Sequence, residues 1–147
     1  QVKKMVQGIL EGLREMHSKN IMHRDLNPRT SSSEALITTS ALLQITVGLV
    51  ANSEEYLFVR CGTPGYVAPE VINIKDMKTK YTPICDMFSL GLIFHLLLFG
   101  KSIFKGKKYN EVLYDNRNCT FDFEGEEYQS VDTLIMDLLK KMLKINP

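Results

Sequence analysis

Ile21-Met22-His23-Arg24-Asp25-Leu26-Asn27-Pro28 sets an imidazole, a guanidinium and a carboxylate on three consecutive residues. The stretch follows an amphipathic pattern that ends at Ser18-Lys19-Asn20, so these three groups sit on a loop just past a helix. In that helix, Val2, Met5, Val6, Ile9, Leu10, Leu13 and Met16 recur at three- and four-residue steps and line one face from Val2 to His17. Gly8 and Gly12 weaken it slightly.

Downstream of Pro28 the chain turns polar, with Arg29 followed by four hydroxyl residues, Thr30-Ser31-Ser32-Ser33. Two β-prone segments follow, near Ala35–Thr39 and Leu42–Val47, and predict a small hairpin region. Cys61-Gly62-Thr63-Pro64-Gly65-Tyr66-Val67-Ala68-Pro69-Glu70 is a dense run of turn and small residues. Beyond it, Ile84 to Phe99 is the longest apolar run, interrupted by Asp86, Ser89 and His95. It falls short of the ~20 residues a membrane-spanning helix needs and reads as a buried helix. Further helical patterns cover Tyr109–Asn116 and Ser130–Leu143.

The 147 residues suffice for one moderate core, and 44% hydrophobic, 24% charged and a net charge of +1 describe an ordinary globule. That balance points to neither nucleic acid nor membrane, and leaves oligomeric state open. Cys61, Cys85 and Cys119 are odd in number and lack the paired spacing of zinc sites, which fits reduced thiols in the cytosol or nucleus. His95, among Leu and Phe, reads as a core residue, and Lys101, Lys105, Lys107 and Lys108 as a solvated face. The opening Gln1-Val2-Lys3-Lys4 has neither an initiating Met nor a signal-peptide core, so the expectation is a chain that begins partway through something larger.

Three stretches, in order, resemble the eukaryotic serine/threonine protein kinases. His23-Arg24-Asp25-Leu26 resembles their catalytic loop. Cys61 to Glu70 is a nearly unaltered activation-segment signature, worded most like the calcium/calmodulin-dependent kinase group. Asp86-Met87-Phe88-Ser89-Leu90-Gly91 resembles the start of the central large-lobe helix, with Phe88 for the usual Trp. The resemblance implies a mainly α fold: residues 1–147 as a partial kinase domain, a large (C-terminal) lobe with a small hairpin region. Neither a Gly-rich loop nor the strand Lys of the small lobe is found, so that lobe is expected to be absent.

The resemblance also assigns roles. Asp25 stands at the catalytic-base position that orients the substrate hydroxyl, and Asn27 at the position of the family's Lys. Thr63 bridges Asp25 and the substrate pocket. His23 holds the loop, while Arg24 pairs with an activation-segment phosphate, for which Ser53 and Tyr56 are the candidate acceptors. Asp86 lies under the loop accepting backbone N–H groups, and Glu70 pairs with an Arg from a later helix. ATP and Mg are the family's cofactors and a protein its substrate or partner. Thr30 and Thr46, however, occupy the two metal-ligand positions, where the family has Asn and the Asp of Asp-Phe-Gly. Magnesium favours carboxylate and carbonyl oxygens, so two neutral hydroxyls predict no productive site.

These departures crowd between Asn27 and Val47, as a shifted reading frame would place them. With the codons written GAG-AAC-ATC-CTC-TTC, deleting one base after the Pro28 codon turns Glu-Asn-Ile-Leu-Phe into Arg-Thr-Ser-Ser-Ser, and with Leu43 to Val47 written CTG-CAG-ATT-ACG-GTN the same offset gives Ala-Asp-Tyr-Gly. Asn27 lies upstream of such a shift and is not explained by it. Three readings result: a serine/threonine kinase whose intact product transfers phosphate from ATP, with this chain inactive as written; a pseudokinase acting as a binding or scaffolding module; and an unrelated helical scaffold, which three motifs in family order oppose.

Overall fold

The computed structural model describes residues 1–28, 61–76 and 79–146. The predicted strand segments at 35–39 and 42–47, together with Thr30, Thr46, Ser53 and Tyr56, lie outside the described residues. The described residues hold six helices: α1 (Val2–Ser18), α2 (Pro69–Ile72), α3 (Ile84–Phe99), α4 (Tyr109–Asn118), α5 (Glu126–Gln129) and α6 (Thr133–Met142). Among the described residues the architecture is wholly helical, as expected of a kinase-like large lobe.

α3 is the hub. It is buried on nearly every side, from Cys85 through His95, which is why its sequence is apolar all round rather than striped. α1 packs on one flank through Val6, Ile9 and Leu13, the inner part of its predicted stripe. α6 packs on the other through Met136, Leu139 and Met142. Gly91 makes this second contact close, since a Cβ there would sit 2.8 Å from Leu143 Cδ2 and 3.0 Å from Met142 Cβ.

The helix ends explain where the loops begin. Asn20 adopts a left-handed φ of 56°. Its N–H then donates to His17 O at 3.0 Å and that of Ile21 to Met16 O at 3.0 Å, satisfying the last carbonyls of α1. The chain is thereby turned off the helix axis straight into the His23–Asp25 loop. α3 stops at Gly100, φ 67°, whose N–H caps Leu96 O at 2.8 Å. α6 starts later than the sequence pattern predicts because the Asp132 carboxylate accepts the Leu134 N–H at 2.8 Å and so fixes the first turn.

Candidate active site

Asp86 forms the floor of the site. It lies in the first turn of α3, fully buried, where the helix N-terminus favours a negative charge. Its Oδ2 accepts the His23 N–H at 2.8 Å and its Oδ1 the Arg24 N–H at 2.8 Å. Both oxygens are thus spent on the loop above. His17 Nε2 adds a third contact at 2.9 Å to Oδ2, joining α1, the loop and α3 through one carboxylate. These bonds hold Arg24 at φ 68°, a left-handed conformation that costs a non-Gly residue ~1–2 kcal/mol.

His23 is buried beside this floor. Its Nδ1 accepts the Asp25 N–H at 3.2 Å, so its own proton sits on Nε2, which has no hydrogen-bond partner among the described residues. Burial holds its pKa below the usual histidine value, against the pull of Asp86 and Asp25.

Asp25, Thr63 and Asn27 meet above the floor. Thr63 Oγ1 donates to Asp25 Oδ1 at 2.6 Å, a short charge-assisted bond. The Asn27 amide Nδ2 lies 3.2 Å from the same oxygen, 3.2 Å from the Asp25 carbonyl and 3.1 Å from Thr63 Oγ1. A neutral amide thus does the holding at the position where the resemblance expects a Lys cation. The three residues fix the carboxylate in one rotamer at the mouth of a groove.

Thr63 arrives from a second loop, which is seated by three contacts. At Gly62, φ 111°, a Cβ would come within 2.9 Å of Arg24 O, so only glycine lets the two loops touch. Ser89 Oγ of α3 donates to Tyr66 O at 2.6 Å. Asn116, fully buried on α4, accepts the Gly65 N–H at 2.9 Å and donates to Val67 O at 2.8 Å. Sequence reasoning missed both Asn116 and His17. Each carries a faint signal: it lies four residues beyond an apolar position on its own helix, Val112 or Leu13, and so on the inner face.

Glu70, at the second position of α2, is half-buried and its carboxyl is pushed up by burial. It borders a cavity of about 240 Å³ shared with Met87, Phe88 and Met142. His95 is a core residue with both nitrogens engaged, Nδ1 on Lys101 O at 3.1 Å and Nε2 on Tyr128 Oη at 3.0 Å.

The family model of the protein kinase domain matches residues 1–147. The chain belongs to that family. The kinase chain is also 28% identical over 155 residues to a probable serine/threonine-protein kinase, fhkE, of Dictyostelium discoideum, covering 100% of this chain and 21% of the relative. It is 29% identical over 148 residues to human serine/threonine-protein kinase H1, covering 98% and 34%. A probable serine/threonine-protein kinase 2 of Plasmodium falciparum is 32% identical over 147 residues, covering 99% and 28%. The kinase chain therefore spans roughly a fifth to a third of these relatives, and is a serine/threonine kinase domain by family.

Kinases as a family use ATP and Mg. Among the described residues, no three His, Cys, Asp or Glu side chains group in a way that could hold a metal ion. Asp25 Oδ1 already accepts two hydrogen bonds, from Asn27 Nδ2 and Thr63 Oγ1.

Proposed function

We propose that this chain is the large-lobe part of a serine/threonine protein kinase of the calcium/calmodulin-dependent type, whose intact product transfers a phosphoryl group from ATP to a protein hydroxyl. As written, the chain seats the acceptor hydroxyl and does not complete the transfer. The Asp25–Thr63 bond of 2.6 Å carries this reading. A carboxylate locked in one rotamer accepts the hydrogen of a Ser or Thr hydroxyl and aims its oxygen, the positioning on which phosphoryl transfer depends. Asp86, through the His23 and Arg24 amides, keeps the loop under that carboxylate. In the longer product, Glu70 receives an Arg from a later helix. Three free thiols favour a reducing compartment, the cytosol or nucleus.

The neutral Thr30 and Thr46 favour a second reading, a pseudokinase that keeps the lobe for protein contacts. Thermal-shift titration with Mg-ATP, with phosphate incorporation into a protein substrate measured on the complete domain, separates the two. Stabilisation with incorporation supports the enzyme. Neither, together with a tight protein partner, supports the binding module. Sequencing the genomic DNA across codons 26 to 50 tests the frame shift separately, since a clean open frame for the residues as written removes it.

A further inference from the structure

α6 buries Met136 and Leu139 on the side packed against α3 and turns Leu134 and Leu138 outward. Leu134 is 77% exposed and Leu138 42%, one helical turn apart on the same face, with Ile135 beside them at 37%. A helix face turned to water ordinarily carries polar residues, and the flanks of this one do: Asp132, Asp137, Lys140 and Lys141 are all exposed. Those charges are sorted by sign along the axis, with the acids before the lysines. The exposed Lys144 extends the positive end just past the helix.

We propose that this face joins two copies of the chain, α6 of one packed antiparallel on α6 of the other about a two-fold axis. The inference stands apart from the reading of Asp25 and holds for an enzyme or a binding module alike. The occupant is a second copy because the face complements itself. An axis at the level of residue 136 sets Leu134 over Leu138 of the second copy and, farther out, Asp132 level with its Lys140 and Lys141. Parallel pairing would instead set acid on acid and lysine on lysine, so the charges fix the orientation while the leucines supply the burial. Such a contact is isologous and closes at two copies. Lys141 is held by Asp137 of its own helix at 2.7 Å, and Lys140 Nζ lies 5.6 Å from the centre of the Phe123 ring. Lys141 and Asp137 are both exposed, and an exposed pair contributes little, so Lys141 is able to turn to the second copy. Two leucines from each side make a small contact, which places the pairing among weak, reversible associations.

The test is sedimentation velocity of the full chain at rising concentration. The sedimentation coefficient should climb from monomer to dimer with a midpoint on the order of 100 µM, as befits an interface below standard size. Leu134→Glu should raise that midpoint at least ~tenfold at an unchanged melting temperature, since the leucine it replaces already stands in water in the single chain. The double variant Lys140→Glu, Lys141→Glu should also weaken pairing, and added salt should weaken it in the wild type. Oxidative cross-linking in a Cys61→Ser background reads the orientation: Leu134→Cys mixed with Leu138→Cys should yield the mixed disulfide faster than either chain links to itself. A monomer at every concentration, association that Leu134→Glu leaves unchanged, or preferential linkage of Leu134→Cys to itself overturns the proposal. The complete domain is run in parallel: pairing there supports the proposal, and a monomer there beside a dimer of the 147-residue chain assigns the face to the protein's own continuation and overturns it.

Discussion

The carboxamide of Asn116 spans Gly65 and Val67, accepting the N–H of one at 2.9 Å and donating to the carbonyl of the other at 2.8 Å. It closes a line of support that runs from α4 through the Gly65–Val67 loop to Thr63, and from Thr63 Oγ1 to Asp25. Tyr66 N–H, bonded to Thr63 O at 3.0 Å, transmits the position of the loop along it.

Asn116→Ala leaves a buried N–H and a buried C=O without partners, at ~1–3 kcal/mol each before any relaxation. The expected loss is therefore about 2–4 kcal/mol of unfolding free energy, read by urea denaturation. Asn116→Asp keeps the acceptor for Gly65 but sets a carboxylate oxygen against the Val67 carbonyl, and should be no better than Ala. Amide exchange at Gly65 and Tyr66 should speed up in both variants. Wild-type exchange at those two amides would remove Asn116 as the support of the loop.

Asp86→Ala acts on the floor instead. It strips two backbone N–H groups and His17 of one charged acceptor, and frees Arg24 from the bonds that hold its left-handed backbone. Hydrogen bonds to a charged acceptor contribute ~1.5–3 kcal/mol each, so the loss should exceed about 3 kcal/mol. Asp86→Asn retains one acceptor oxygen and should lie between Ala and wild type. A loss below 1 kcal/mol for Ala, on the order of a surface substitution, would mean the loop is held elsewhere.

How far these supports were legible depends on their range in sequence. The helices at 2–18 and 84–99 announce themselves because every contact that shapes their periodicity is local. Asp25, Thr63 and Asp86 could be named because they sit inside wordings shared with a family, and the structure brings those three stretches together at the loop. His17 and Asn116 escaped because what matters about them is a partner 69 or 51 residues away, and no spacing rule encodes that. The short α5 (Glu126–Gln129) also escaped, being one turn long and below the length at which periodicity can be read. Asn27 is an intermediate case. The resemblance marked it as an altered position, but only the geometry shows its amide bonded to both Asp25 and Thr63.

The cysteines should divide by burial. Cys85 and Cys119 are buried, and burial pushes both thiols up, that of Cys119 to about 11. Little thiolate then forms near neutral pH, and the reagent has no path to it. Cys61 is half-exposed on the Thr63 loop, its Sγ 3.9 Å from Tyr81 Oη. Brief iodoacetamide treatment of the folded chain, followed by peptide mass mapping, should show alkylation at Cys61, with Cys85 and Cys119 joining only after denaturation. Modification of Cys85 at the rate of Cys61 would contradict the packing of α3.

Stability should fall as pH drops below the ordinary histidine range. His23 and His95 are both held below the usual value of 6.5, chiefly by burial, so the unfolded chain binds protons more readily than the folded one. The stabilisation from keeping them neutral is complete above the unfolded value and is lost as pH descends from there towards the folded values, with a slope of up to about 1.4 kcal/mol per pH unit for each group. Geometry sets the same sign: His95 Nδ1 faces a carbonyl and must carry the proton, leaving Nε2 to accept from Tyr128, and His23 Nδ1 faces the Asp25 N–H. Glu70, pushed up by burial from 4.5, works in the opposite direction at lower pH, and a Glu70→Gln background removes it. Urea unfolding should give nearly constant stability between about pH 7 and 8 and a decline from about pH 6.5 to 5.5, shallower in His95→Gln. A flat profile across that interval, or one that rises towards acid, would mean that neither imidazole is confined as the packing requires.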